Sequence, residues 1–592
     1  MSEARLPSPA IVSQTAVVRL PRWGLWLLCL AYVLPGFIGR EPWKTADVRS
    51  FAAMQEIAAG RTSAWLPLLA GEPVADFAPL PHWLGAWAIQ VLPTSAELAY
   101  RLPSLLALAL TLSLTWHAIF RFALLPGAQP VAFAFGGQAT PVDYARTLAD
   151  SGLLALMACL GLAQISHEAS PAVFWMLSFA GLMHALALAV PVEKKRPWQS
   201  WGPQWLICLI TLSLSGQPVA ALLAATVLPA ILLITRCHTA PTQAGHPSRP
   251  WLTWLGGLCL TLAGIWLAPS LGELDAPGSN AQGWLVFLKQ MTWFAWPAWP
   301  LTVWALWRWR HHWQTPHVLL PTGLVLLILL SSVSQDGSDR VMMSALPPLA
   351  GLAAFSLPTL KRSFGAWVDW FSLLFFTFCS LAVWVVWISL MTGVPAQPAL
   401  NVARLAPGYV PEFHTWAFVV ALAASLAWAA VVYWRASRHP PALWKSMVIP
   451  ATGSVLCWLL LMTLWLPLLD HARSYGGLAR RLAANVSPTG CVIAWDLQPA
   501  QTAGLVHQGH LRLLRGSPES RDCEHLVTPP SRVSDARLAA EGWMLVTRVN
   551  RLTDNKEGLM LLVRQTPGQT TLDGEVPEPV KAASPDQAEN GE

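Results

Sequence analysis

Apolar runs approaching twenty residues recur along this chain, separated by short polar links. That pattern predicts a polytopic bundle of membrane-spanning helices. The runs fall at 23–39, 102–120, 126–138, 150–166, 171–191, 204–215, 218–235, 252–269, 290–307, 317–333, 342–358, 365–391, 414–434 and 446–468. A chain with its N-terminus inside and its C-terminus outside crosses an odd number of times, so one of these fourteen fails and about thirteen remain. On charge and length alone 126–138 is the weakest, being short and close to Gly, Pro and Gln residues.

One polar segment breaks the rhythm. Between Gly39 and Trp83 stand Arg40, Glu41, Lys44, Asp47, Arg49, Glu56, Arg61, Glu72 and Asp76. Such charges are costly in hydrocarbon, so the segment belongs at the aqueous boundary. An amphipathic helix is expected over 47–59 and a short interfacial helix over 82–93.

From Asp470 the texture becomes that of a soluble domain. Helical patterns at 471–485 and 497–507 alternate with strand-like stretches at 491–495, 511–514, 542–549 and 558–563. The organisation predicted is a cytoplasmic leader (1–22), a membrane body (23–469) whose periplasmic acidic loop covers 40–100, a periplasmic α/β domain (470–566) and a disordered tail (567–592).

Composition sharpens this. The 592 residues are 54% hydrophobic and 12% charged, about half the charge of a soluble domain. Thirty-four tryptophans suit the many membrane–water boundaries of a polytopic protein. The net charge of +6 is carried largely by short basic links, among them Lys194-Lys195-Arg196, Arg308/Arg310, Lys361-Arg362 and Arg435/Arg438. These read as cytoplasmic loops and exclude a nucleic-acid face. The nine cysteines follow no metal or redox spacing; Cys491 and Cys523 alone stand in the polar C-terminal part, either as a disulfide or as two free thiols. His82, His117, His167 and His184 are scattered without ligand spacing and read as structural.

Several segments resemble a known family when taken in order. GREPWKTAD, WLPLLAGEP, DFAPLPHW and Arg101-Leu-Pro-Ser104 are similar to the first periplasmic loop of the aminoarabinose transferases and related polyprenyl-phosphate-sugar-dependent enzymes of the protein mannosyltransferase superfamily. ATPVDYARTLADSGLLAL (139–156) resembles that family's second periplasmic loop, and SQDGSDRVMMSALPPLAGLAA (334–354) a later motif. The resemblance implies a GT-C-like, all-α polytopic body with a small C-terminal α/β domain, at the outer face of a bacterial inner membrane. It implies transfer of a sugar from a polyprenyl-phosphate donor to an envelope lipid, glycan or protein. It wants Asp150 on the outer side, which would keep 126–138 as a crossing and put 171–191 in doubt.

Glycosyl transfer needs an acceptor for the nucleophile's proton and cations for the departing phosphate. The resemblance marks Asp47 as the acceptor-activating carboxylate, with Asp150 as the second-loop acid. The plain alternative is that Asp47 merely opens a helix as a favourable N-terminal acid. Arg49, Asp76, Asp143, Arg146 and Arg340 are the remaining candidates for donor or acceptor binding, while Lys44 suits a simple boundary or ion-pair role. The chain departs from the family pattern at Ala46, Phe77 and the turn Gly216-Gln217-Pro218, which lack an expected carboxylate and two lysines. A divalent metal is left open, though no spacing supports one. These departures define the rival reading, a non-catalytic relative that binds lipid-linked glycan or scaffolds an envelope assembly. A secondary transporter ranks last, since neither an inverted repeat nor mid-span charge is evident.

Overall fold

The computed structural model describes residues 8–44, 46–74, 77–190, 198–239, 258–259, 289–333, 339–436, 442–487, 490–520, 522–530, 538–539, 541–551 and 554–564. Asp76, most of the run 252–269 and the tail 567–592 lie outside them.

Six described helices are long and apolar enough to cross a membrane: Ala96–Ala123, Pro171–Ala189, Pro218–Thr235, Asp339–Thr359, Ser363–Thr392 and Thr415–Arg435. Lys445–Leu461 and Leu466–Arg473 form a further apolar pair bent by 69°, and Arg22–Val33, Trp201–Leu214 and Pro316–Ser331 are shorter apolar helices. The chain is a multi-pass membrane protein. Burial sorts these helices into layers. Asp339–Thr359 has 94% of its apolar window buried and forms the hub; Ser363–Thr392 and Thr415–Arg435 have only 28% and 17%. Their exposed Trp367, Trp370, Leu374, Phe378 and Leu426 leave an outer face suited to lipid.

Of the two runs left in question, the one that charge and length mark as weakest is the one that fails. The run 126–138 is no crossing: it holds one 3₁₀ turn, Pro126–Ala128, and then irregular chain tied to the N-terminal segment. Val131 N–H donates to Ala10 O at 2.9 Å, and Gln14 N–H to Gly137 O at 2.9 Å. The run 171–191, by contrast, forms the full helix Pro171–Ala189. The cause lies in composition, because Pro126, Gly127, Pro130 and the Gly136-Gly137 pair break a helix at close intervals.

The first helix, Arg22–Val33, leaves the bundle through a tight bend. Gly36 has φ +91° there, and a Cβ on it would come within 2.5 Å of the Trp458 ring. Only glycine allows the chain this close to Lys445–Leu461.

The C-terminal residues form a five-stranded sheet, ordered Arg512–Arg515, Cys491–Ala494, His525–Thr528, Asp554–Arg564, Trp543–Arg551. The first three strands are parallel and the last two join antiparallel. His525–Thr528 has no counterpart among the expected strands; it is only four residues long. Helices Gly476–Ala483 and Pro499–Gln508 pack on the sheet through Leu478, Leu482 and Leu505. The domain sits directly on the acidic loop. Helix Pro499–Gln508 meets helix Ala46–Ala58 through Ala500, Ala503, Val48 and Ala52. At the rim Arg515 pairs with Glu72 at 2.6 Å.

Cys491 and Cys523 are joined in a disulfide that closes a loop across two neighbouring strands, with a sequence separation of 32. Constraint of the unfolded chain by such a loop is worth about 3–4 kcal/mol. Cys491→Ser should therefore lower the unfolding midpoint of the C-terminal domain while leaving bundle helicity intact, as followed by circular dichroism with and without reductant.

Candidate active site at the buried Asp47 cluster

Asp47 lies in the first turn of helix Ala46–Ala58 and is 1% exposed. Five donors converge on its carboxylate. Oδ2 accepts from Arg40 Nη2 at 2.9 Å, Arg101 Nη2 at 3.3 Å and the Trp43 backbone N–H at 3.3 Å. Oδ1 accepts from Tyr100 Oη at 3.2 Å and the Ala169 N–H at 3.1 Å. Burial works to raise the pKa of Asp47, but the Arg40 and Arg101 guanidiniums and the two backbone N–H groups outweigh it. The carboxyl is held below the usual carboxylate range.

The partners come from three separate parts of the chain. Arg40 follows the exit from the first helix, Arg101 directly precedes helix Leu102–Ala123, and Ala169 belongs to the link before Pro171–Ala189. Arg40 also donates to His167 O at 2.9 Å. His167 is fully buried between Tyr32 and Trp458, and burial pushes its pKa down to about 3, so it is a neutral packing residue. No group of three or more His, Cys, Asp or Glu side chains able to hold a metal occurs among the described residues.

One residue beyond His167 stands a carboxylate that the sequence reading missed. Glu168 is 6% exposed, and its Oε2 accepts from Arg340 Nη2 at 2.7 Å. Among the described residues its other oxygen accepts no hydrogen bond. Burial raises its pKa, with Arg340 opposing. The signal available was weak: a lone acid in the sequence ISHEASP between two apolar runs.

The bent pair closes the cluster from the other side. Asp470 Oδ1 accepts from Trp43 Nε1 at 2.6 Å and from the Glu41 N–H at 3.3 Å. Arg473 stands 5.0 Å from the Trp43 ring centroid, and Arg40 lies 4.6 Å from the same ring. The nearest charges acting on Arg473 are Glu168, Arg40 and Arg551. Among the described residues its guanidinium donates no hydrogen bond to protein. Lys44 pairs with Glu557 at 2.9 Å, as does Arg551 at 3.0 Å, so two cations tie the loop and the last strands together.

The expected site residues divide accordingly. Asp47 and Arg340 are brought to one end of the bundle, linked through the consecutive residues Glu168 and Ala169. Arg49 is half-buried on the Asp47 helix. Asp143, Arg146 and Asp150 are not part of this cluster. Asp143 lies in the first turn of helix Pro141–Met157, which Thr140 caps, at the opposite end, where Arg19 holds it at 2.8 Å and Gln14 at 3.1 Å. Asp150 accepts from Trp116 Nε1 at 2.8 Å. Trp116 stands fifteen residues beyond Arg101 in the same helix, roughly 22 Å along its axis. Because 126–138 does not cross, 139–156 starts at the end of the bundle away from Asp47, whereas the link 158–170 reaches the Asp47 end through Ala169.

Asp150 and Arg146 instead line a groove of about 460 Å³ between Arg22–Val33, Leu102–Ala123 and Pro141–Met157. Most of its wall is apolar, including Leu25, Cys29, Val33, Leu105 and Leu112. Trp26 and Leu30, 70% and 50% exposed, leave its mouth facing the bilayer. Its upper end at Leu105 is one helical turn from Arg101.

The positions that lack family lysines meet each other. Phe77 is buried against His82, and a Cβ on Gly216 would lie 3.7 Å from that of Ala78. No cation is supplied from either position.

No protein-family model matches the chain, and no curated protein matches its sequence. Its fold does match solved structures. ArnT from Cupriavidus metallidurans bound to undecaprenyl phosphate superposes with a TM-score of 0.59 at 13% identity, covering 92% of this chain and 98% of that one. The apo state of the same protein gives 0.58 at 13% identity, covering 91% and 98%. The chain thus shares, over nearly its whole length, the fold of ArnT.

Replacing Asp47 by Asn removes the charge that holds two buried guanidiniums. Breaking such a pair costs about 3–5 kcal/mol. The Asp47→Asn protein should therefore melt at markedly lower temperature in detergent than wild type, measured by tryptophan fluorescence.

Proposed function

We propose that this chain is a glycosyltransferase of the bacterial inner membrane. It moves a sugar from a polyprenyl-phosphate donor to an envelope lipid, glycan or protein. The observation that carries the proposal is the shared fold: a protein crystallised with undecaprenyl phosphate aligns with 92% of this chain. The Asp47 cluster supplies compatible chemistry, since guanidiniums and a carboxylate with a free oxygen sit together beneath a soluble domain. The disulfide supports an oxidising compartment for that domain, hence a periplasmic face. About thirteen crossings, with the N-terminus in the cytoplasm, agree with that orientation.

In this mechanism the donor's tail enters the groove below Arg101, and its phosphate sits among Arg473, Arg340 and the Arg40 edge of the cluster. An acceptor hydroxyl oxygen attacks the anomeric carbon as the bond from that carbon to the phosphate oxygen breaks. The anomeric centre inverts, polyprenyl phosphate departs, and the hydroxyl proton passes to Glu168. Asp47, already carrying five donors, keeps the arginines aligned rather than acting as the base. The departing phosphate gains negative charge, and the guanidiniums stabilise it there.

A second reading draws on Ala46 and on the saturated Asp47: the chain captures the lipid-linked sugar without turning it over. Purified protein given labelled undecaprenyl-phosphate sugar and envelope acceptors separates the two. Transfer of label supports the enzyme; retention of label on the protein without product supports the binder.

The roles can be tested singly. Arg473→Ala should lower kcat/KM by about 10²–10³, as removal of one transition-state donor does. Glu168 must be ionised to accept a proton, and its pKa lies above the ordinary glutamate range, so the rate should fall as pH drops through that raised value. Arg340 opposes the rise, so Arg340→Gln should move the acid limb of the pH profile to still higher pH. An unmoved acid limb would remove Glu168 from the base role.

A further inference from the structure

A second cavity opens at the end of the bundle far from Asp47. It holds about 700 Å³ and lies between helices Arg362–Thr392, Thr415–Ala436 and Lys445–Leu461, under the turn Leu357–Thr359. Its position is fixed by the N-terminal segment: Leu443 N–H donates to Ala16 O at 3.2 Å and Trp444 Nε1 to Val18 O at 2.6 Å.

The cavity has two kinds of wall. At one end stand Lys361, Arg435 and Lys445, with Asp369 as the single carboxylate among the lining residues. Arg435 pairs with Asp369, yet Arg435 Nε and Asp369 Oδ1 are buried without a hydrogen-bond partner. Lys445 rests 5.4 Å from the Trp434 ring centroid. Neither lysine makes an ion pair among the described residues. The remaining wall is apolar, with Trp370, Leu373, Val432 and Ile449. Trp370 is 64% exposed on the same helix face as Trp367 and Leu374, so the apolar side of the cavity opens toward hydrocarbon.

We infer that this cavity binds one anionic phospholipid of the surrounding leaflet, its phosphate held by Lys361, Lys445 and Arg435 and its acyl chain laid along Trp370, Leu373 and Val432. Three cations against one carboxylate favour a headgroup with net negative charge over a zwitterionic one. The apolar wall favours a lipid over a soluble phosphate, which would leave that surface wet. Gly365 marks where the chain would lie. A Cβ there meets only Ser446 Cβ, at 3.9 Å, so a larger side chain can grow into the cavity without moving the backbone.

The test is native mass spectrometry of the full-length protein after exchange into phosphatidylglycerol or phosphatidylcholine. One phosphatidylglycerol should be retained selectively. Lys361→Ala/Lys445→Ala should cut that retention roughly tenfold or more. Gly365→Phe, which alters no charge, should cut it as well. Both variants keep all buried contacts of the Asp47 end, and their folding is checked by thermal unfolding. Equal retention of the two lipids overturns the proposal, as does unchanged retention in both variants. Displacement of the bound lipid by millimolar glycerol phosphate would overturn the lipid as source and leave a soluble phosphate ligand. None of these outcomes depends on whether the protein transfers sugar.

Discussion

The structure turns on one buried electrostatic contact. A single carboxylate, Asp47, holds two guanidiniums and three further donors in a space closed to water. Charges in such a place survive only when paired, because removal from water costs several kcal/mol per ion. Asp47 answers both guanidiniums, although Arg40 Nε and Nη1 and Arg101 Nε have no hydrogen-bond partner of their own among the described residues. The solution adopted here recruits donors from three parts of the chain that are far apart in sequence. Arg40, Arg101, Tyr100 and Ala169 cannot satisfy Asp47 unless the exit of the first helix, the start of helix Leu102–Ala123 and the link after Pro141–Met157 all stand at the same height. The contact thereby fixes where Glu168 stands, and Glu168 fixes the head of the hub helix through Arg340.

The soluble domain is bound into the same network. Lys44 and Arg551 share Glu557, Ser474 Oγ donates to Glu41, and helix Pro499–Gln508 packs on the helix that bears Asp47. A domain attached only by its linker would show rim contacts; this one shares an apolar cluster with the loop. It therefore reaches the site directly, since Arg551 donates to Ala472 O at 3.3 Å next to Arg473, which rests against Trp43 of the loop.

Much of the fold could be read from the chain because bilayer thickness imposes a single length on every crossing, and soluble sheets impose another. The helices at 102–123, 171–189, 362–392 and 415–436 follow from apolar runs alone. Errors arose where a local signal had to be weighed against alignment by resemblance. The resemblance assigned 139–156 to the outer face, whereas the glycines and prolines of 126–137 already argued against a crossing there. Asp143, Arg146 and Asp150 consequently stand away from Asp47 rather than beside it. Glu168, Arg101 and Arg473 were passed over for a different reason. Each is an isolated charge at a helix end, indistinguishable in sequence from an ordinary boundary residue; only three-dimensional closure brings them to one place. Asp47 was found, but its five donors were not legible, since four of them come from residues at least four positions away and one from position 169.

The departures at Phe77 and Gly216-Gln217 acquire a physical meaning in this light. Gly216 lies against Ala78, the residue after Phe77, and both positions lack a cation, so the positive charge expected there is absent from that wall. An arginine without a hydrogen-bond partner among the described residues stands instead on the hinge between the last apolar helix and the sheet domain. Holding Arg473 against Trp43 costs desolvation that the aromatic face only partly offsets. A residue kept under that strain contributes little to stability, since Glu168 is already answered by Arg340. An incoming phosphate would complete its coordination. In the function proposed above, Arg473 at the hinge supplies the cation that this wall lacks. Function in such a chain follows the position of charge relative to the cluster, rather than the identity of the residue at any one aligned position.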